Sequence, residues 1–237
     1  MHRFFAFLAR ISLLLLLAAG AAADTNDGWV LAAKARSPED ISLWTRSIAG
    51  AELKAFRGVT HSDAPIENLI ALLYDTAATP EWLFRCQEAA IVGEETNGDF
   101  YLHLKIKGIW PLDDRDAIIR VRPFFDRQTG EILMTGTAAP DYLPPLPNYV
   151  RIPAIASTWR LTPTPQGLVR IEWEGHVDPA GNVPRWLANS MATLVPRHTL
   201  RNFRNLMDEP ARRSPTQQAA GAAIIEHIRS NNRPGKP

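Results

Sequence analysis

The stretch DPAGNVPRWLAN, residues 178–189, joins a tight turn to the start of a helix. Asp-Pro and Gly-Asn pairs are typical of turns. Pro184 suits the first turn of a helix, where the N–H group that proline lacks would have no partner. We therefore predict a long helix that begins at Pro184 and runs to about Glu209.

The apolar residues of this predicted helix change sides half-way along it. At about 100° per residue, the front half carries one apolar stripe, and the half beyond Pro196 carries another on nearly the opposite side. The front stripe consists of Leu187, Met191 and Leu194, and the second of Leu200, Phe203 and Met207. We expect a bend at Pro196, with the two halves packed against different surfaces.

Upstream of the turn, residues 85–177 show repeated strand-like runs separated by turn signals, which predicts an antiparallel meander. Two of the runs alternate apolar with polar residues, so one face of each strand is apolar. The apolar positions are Phe100, Leu102, Leu104 and Ile106 in one run, and Val169, Ile171, Trp173 and Val177 in the other. We expect a curved sheet whose dry concave side also carries Ala117, Ile119, Val121, Ile132 and Met134.

The meander is preceded by a predicted hairpin and a short helix. Residues 42–48 and 53–61 have strand character and flank a turn around Gly50. Apolar residues at helical spacing then predict a helix over residues 66–73, and residues 79–82 look like a second capped turn of helix.

A proline-rich segment, residues 139–148, interrupts the meander and cannot be a central strand. Its four prolines are accompanied by the exposed apolar and aromatic candidates Tyr142, Leu143 and Leu146. The segment is either a rigid surface connection or a lid over a pocket.

The first 23 residues have the pattern of a signal peptide, with basic residues before an apolar run and small residues at its end. We place the cleavage after Ala23 and expect a periplasmic or secreted protein; the alternative is an uncleaved membrane anchor. The predicted folded domain spans residues 24–209, and residues 210–237 form a flexible tail with a possible short helix.

Composition bounds the function. The chain of 237 residues carries a formal net charge of +1, which does not favour nucleic acid as a partner. The single cysteine, Cys86, excludes an internal disulfide and a multi-cysteine metal site, and we expect it to be a buried apolar residue.

The usual catalytic motifs are absent. His103 and His176 fall on the polar side of their strands, and residues 113–116 form an expected solvated turn.

Three motifs resemble the StAR-related lipid-transfer, or START, domain, over about residues 29–207. They are DDRD at residues 113–116, NYVR at 148–151, where the family has glycine in place of asparagine, and the stretch 178–189. The resemblance implies an α+β helix-grip fold, START/Bet v 1-like, with a curved antiparallel sheet wrapped around a long C-terminal helix and an internal apolar cavity. It implies a tunnel for one sterol, phospholipid or related lipid, and neither a cofactor nor a metal.

The resemblance also suggests where the lipid would lie. The candidate ligand-binding residues are Leu102, Leu104, Ile119, Val121, Met134, Ile171, Trp173, Trp186, Asn189 and Met191, and the candidate gate is Tyr142, Leu143 and Leu146 with the front of the long helix. Sterol carriers of the family place a charged group on the strand after residues 113–116. Here Arg120 and Arg122 fall at outward-facing positions of that strand, which favours a weakly polar ligand.

We therefore predict non-catalytic binding and transfer of one hydrophobic, lipid-like molecule by a monomer that contacts membranes transiently. Two alternatives remain open. A cavity enzyme of the polyketide cyclase or hydratase type would place ionisable groups with perturbed pKa values inside the pocket. A regulatory module with a vestigial pocket would leave no internal volume beyond that of a few waters.

Overall fold

The structure, a computed structural model, describes residues 28–51, 53–181 and 183–231, except for the side chains of Arg185 and Asn189. The predicted signal peptide lies outside these ranges. The elements in chain order are β1 (Val30–Ala33), β2 (Ser42–Arg46), β3 (Ala55–Ser62), α1 (Ile66–Tyr74), α2 (Thr79–Trp82), β4 (Cys86–Glu94), β5 (Phe100–Ile106), β6 (Arg115–Phe125), β7 (Ile132–Ala138), β8 (Val150–Arg151), β9 (Ala154–Pro163), β10 (Val169–Asp178), α3 (Arg185–Leu206) and α4 (Pro215–Asn231).

The strands form one sheet in the order β1, β2, β3, β10, β9, β7, β6, β5, β4. All neighbours in this order pair antiparallel, which confirms the predicted hairpin and meander. The short β8 pairs in parallel with the start of β6. The sheet curves around α3, so the predicted α+β helix-grip architecture is confirmed.

The main core lies on the concave side of the sheet. Leu104 on β5 is opposite Ala117 on β6, and both are buried, as the alternation predicts. Trp159 and Trp173 stack across β9 and β10 with ring centroids 5.0 Å apart. The aromatic side chains of the two central strands therefore form one wall of the interior.

Helix α3 lies against this concave side and packs its two halves in different clusters, as its two stripes predict. Leu187 belongs to a small cluster that we call the mouth cluster, whose buried members are Leu53, Val183, Leu187 and Ala188. Leu200 and Phe203, fully buried, belong to the main core. The helix is continuous through Pro196.

A glycine on the sheet brings the rear half of α3 close. A Cβ atom at Gly58 would lie 2.4 Å from the Cδ1 atom of Leu200, a distance that real side chains do not tolerate. The missing side chain at Gly58 therefore lets the helix rest directly on β3.

The C-terminal segment differs from the predicted flexible tail of residues 210–237. A 3-10 turn leads into the 17-residue helix α4, which packs against α1 and buries Ile225 and Ile228. A Cβ atom at Gly221 would lie 1.8 Å from the carbonyl oxygen of Glu67, so the backbones of the two helices pack in direct contact at this glycine. The sequence predicted only a possible short helix here, because small residues, with few large apolar ones, make its contact.

A buried charge cluster lies on the convex side of β5 and β6. Asp116 is fully buried; Nη2 of Arg151 lies 2.8 Å from its Oδ2 atom and Nε of Arg151 lies 3.0 Å from both carboxylate oxygens. His103 Nε2 lies 3.1 Å from Oδ2. The prediction of a solvated His103 is wrong, and that of a solvated turn fails at Asp116, because the segment 139–149 covers this side of the sheet. It also fails at Arg115, which is buried on the other side, whereas Asp113 is exposed.

Candidate functional site

The sheet and the front half of α3 surround a cavity with two adjoining parts. The first chamber holds about 190 Å³. The second chamber holds about 110 Å³ and shares five lining residues with the first, Leu83, Leu104, Ile119, Ser157 and Trp173. A buried water needs only about 10–15 Å³, so the interior has far more room than a few waters require. This observation argues against the vestigial-pocket alternative.

Seven of the ten predicted ligand-binding residues line this cavity. Leu104, Ile119 and Trp173 face both chambers, and Met191 faces the first. Leu102, Val121 and Met134 face the second chamber. Strand alternation therefore placed six of these residues, all except Met191, on the interior side, since only one phase of a strand can face the interior; their role in binding stays a prediction.

The other three predicted residues lie elsewhere. Ile171 is fully buried in the main core and lines neither chamber. Trp186 is 63% exposed on the first turn of α3, because its neighbour Leu187 takes the inward position. The side chain of Asn189 is outside the described atoms.

One end of the first chamber, which we call its mouth, is bordered by the segment 107–114, which joins β5 to β6, and by the front of α3. Ile109 and Leu112 from this segment line the chamber and pack against the mouth cluster together with Met191. The prediction did not find this segment. Its signal was the apolar run Ile109-Trp110-Pro111-Leu112 between charged residues, at a place where the meander needs only a turn.

The proline-rich segment 139–148, predicted as a gate, lies on the convex side of the sheet. Tyr142 stacks on Tyr101 of β5 with ring centroids 3.7 Å apart. Arg151 donates hydrogen bonds to the carbonyl oxygens of Pro140, Leu143 and Pro144. None of Tyr142, Leu143 and Leu146 lines either chamber. The segment predicted as a gate therefore does not border the cavity, whereas residues 107–109 and 112 do.

Apart from its cations, the wall contains few polar groups, and two of those on the sheet bond to each other. The Trp173 indole Nε1 donates to Ser157 Oγ at 2.9 Å, which satisfies both side chains within the wall. The remaining lining of the two chambers is mainly aliphatic and aromatic. Burial of apolar ligand surface against such a wall is favourable by roughly 25 cal/mol per Å².

All ionisable side chains that line the first chamber are cations, namely Lys54, Arg85, Lys107 and Arg115. Within the described part of the chain, no carboxylate, imidazole or thiol lines either chamber. Tyr74 lines the second chamber, and burial raises the pKa of its hydroxyl. The described cavity wall therefore contains no carboxylate, imidazole or thiol that could act as a general base, although two of its ionisable groups, Tyr74 and Arg115, have shifted pKa values.

Two further candidate chemistries find no support among the described residues. Burial raises the pKa of the Cys86 thiol to about 11, so the thiolate that a nucleophile needs is scarce at neutral pH. No group of three or more histidine, cysteine, aspartate or glutamate side chains in the described ranges could hold a metal ion.

Comparison with known proteins assigns the family. The START domain model matches residues 18–213. The chain belongs to the START domain family. It is 28% identical over 183 residues to an uncharacterized protein of Pseudomonas aeruginosa, an alignment that covers 77% of this chain and 88% of the relative.

Solved START structures share the fold. A STAR-related lipid transfer protein of Xanthomonas axonopodis, a fragment, has a TM-score of 0.69 and 29% identity and covers 77% of this chain and 100% of that chain. Human STARD10 has a TM-score of 0.67 at 19% identity, over 86% of this chain and 83% of its own. Family and fold together support a lipid-binding domain.

Proposed function

We propose that this START domain binds one lipid-like molecule in its cavity and transfers it without chemical change. The observation that carries the proposal is a mainly apolar interior of two chambers, with no carboxylate, imidazole or thiol among its described lining residues. Such a wall favours an apolar guest through burial, and its described residues include none of the carboxylate or imidazole groups that most often act as general bases. The carrier acts as a monomer.

The gate in this proposal consists of residues 107–114 and the front half of α3. Ile109 and Leu112 close the first chamber by packing on Leu187 and Met191. This contact belongs to a cluster separate from the main core, so it can open while the rest of the sheet stays packed.

The mouth is also the proposed site of transient membrane contact. Trp110, 84% exposed, lies on the segment 107–114, and Trp186, 63% exposed, lies at the start of α3. Tryptophan is enriched at the interface between lipid and water, and the nearby Lys54 and Lys107 are exposed cations that suit an anionic lipid surface. No helix within residues 28–231, as far as they are described, is long and apolar enough to cross a membrane.

The proposed location is the periplasm or the medium, because residues 1–23 have the signal-peptide pattern. Cell fractionation with N-terminal sequencing checks this. We expect a mature chain that starts at Asp24 in the periplasmic or secreted fraction. A cytoplasmic protein that retains residues 1–23 would contradict the location and leave the binding proposal intact.

Native mass spectrometry with lipid extraction tests the carrier itself. We expect the purified protein to carry one lipid molecule per chain and to deliver a fluorescent lipid from donor to acceptor vesicles. Protein that is isolated empty and takes up no fluorescent lipid, or that converts a bound molecule into a new product, would end the carrier proposal.

A further inference from the structure

Arg115 is a buried cation on the cavity side of the sheet. It is the first residue of β6 and lies opposite Ile106 of β5, so the two side chains share the concave face. Both residues line the first chamber. Arg115 is only 7% exposed. The inward phase of β6, which continues through Ala117 and Ile119, therefore begins with a positive charge next to the mouth.

The guanidinium group of Arg115 is incompletely paired. One of its terminal nitrogens donates to the carbonyl oxygen of Asp113, whereas its Nε has no hydrogen-bond partner. In the ranges that the structure covers, no carboxylate forms an ion pair with it. The Asp114 carboxylate accepts bonds instead from the backbone N–H of Gly108, at 2.8 Å, and from the amide of Gln87, at 3.3 Å. Asp116 faces the opposite side of the sheet and binds Arg151.

The surroundings of Arg115 also leave its positive charge uncompensated. Burial lowers the pKa of Arg115, against the opposing effect of the carboxylates of Asp113 and Asp114. Arg85 and Lys107, which line the same chamber, bring further positive charge to the mouth. Arg85 is fixed there by its bonds to the carbonyl oxygens of Lys107 and Gly108. A buried, unpaired charge is costly, and an anion placed beside it removes that cost.

Because a guanidinium group matches phosphate and carboxylate oxygens with two parallel hydrogen bonds, the missing partner has a definite chemistry. We infer that the cargo carries an anionic head group, a phosphate or a carboxylate, which Arg115 binds near the mouth. The apolar chain of the cargo then extends into the second chamber, past Leu102, Val121 and Met134. This inference rests on the proposed carrier function and departs from the expectation of a weakly polar ligand.

Three fluorescent probes of similar size test the inference on the full chain, namely a single-chain lysophosphatidic acid, a fatty acid and an uncharged sterol, each offered in phosphatidylcholine vesicles. We expect the wild-type protein to bind at least one anionic probe about tenfold or more tightly than the sterol. Arg115→Gln should abolish that preference and leave sterol binding unchanged. Arg115→Lys should restore part of it, because the charge returns without the planar fork.

Arg122→Gln is the matched control. Arg122 lies on the same strand in the outward phase, 60% exposed at its side chain, so its loss should leave all three affinities unchanged. The stronger of the two anionic probes identifies the head group as a phosphate or a carboxylate. Equal binding of sterol and anionic probes by the wild type, or an unchanged preference in Arg115→Gln, would overturn the inference and leave the carrier intact. Binding of none of the probes would instead count against the carrier.

Discussion

Two neighbouring residues of β6, Arg115 and Asp116, are both buried, yet only Asp116 has a partner of opposite charge within the described chain. Asp116 faces the convex side, where Arg151 meets it at 2.8 Å and His103 at 3.1 Å. Arg115 faces the cavity, and no carboxylate of the described chain pairs with it. The chain thus neutralises the charge that belongs to its framework and leaves the charge at the cavity for a ligand.

The largest effect should come from breaking the framework pair. Arg151→Met leaves Asp116 buried without its cation and releases the carbonyl oxygens of Pro140, Leu143 and Pro144. We expect a loss of about 3–5 kcal/mol in the free energy of unfolding, measured by urea denaturation. A loss below about 1 kcal/mol would show that the cluster is not buried as described.

The next effect should separate the two segments that cover the two sides of the sheet. Ile109→Ala trims the mouth and should speed the release of a bound fluorescent lipid several-fold, with a stability loss of about 1 kcal/mol because Ile109 is half-buried. Tyr142→Ala trims the convex side and should leave release unchanged. Release rates measured by stopped flow distinguish the two candidate gates. Faster release from Tyr142→Ala would indicate that residues 139–148 form the gate.

A smaller change in stability should follow from removing the unpaired charge. Arg115→Met takes away a cation that has no carboxylate partner, so the ligand-free protein should keep its free energy of unfolding within about 1 kcal/mol or gain stability. Urea denaturation of delipidated protein, with Arg151→Met measured alongside, gives the contrast directly. If both variants lost several kcal/mol, Arg115 would be paired within the fold and the contrast would fail.

The smallest change in stability belongs to the exposed mouth. Trp186→Ala removes a side chain that is 63% exposed, so the free energy of unfolding should change by less than about 0.5 kcal/mol. Lipid transfer from anionic vesicles should nevertheless slow several-fold if the indole enters the interface. Transfer at the wild-type rate would remove Trp186 from the membrane contact.

Local patterns were enough to predict the fold and most of the cavity lining. Strand alternation selected Leu104, Ile119 and Trp173, because inward and outward positions differ by one residue. The same alternation places Arg115 at an inward-facing position of β6, two residues before Ala117, so the sequence contained the signal for the buried cation. It was missed because the four charged residues 113–116 resemble a solvated turn.

Other features could not be predicted because they depend on distant partners. The pairing of Asp116 with Arg151 joins residues 35 positions apart, through the parallel contact of β8 with β6. That pairing decides which side of the sheet the proline-rich segment covers. Helix α4 was underestimated because its contact through Gly221 follows from shape, which hydrophobic periodicity does not register.

The division of the apolar interior into a main core and the small mouth cluster has a consequence for timing. Only four buried side chains, Leu53, Val183, Leu187 and Ala188, form the core of the mouth cluster, whereas the sheet and the rear of α3 share the larger one. Brief local opening of the mouth cluster would suffice for cargo exchange, and its rate would be independent of the rate of global unfolding. The protein can then be long-lived as a fold and still hand over its cargo quickly.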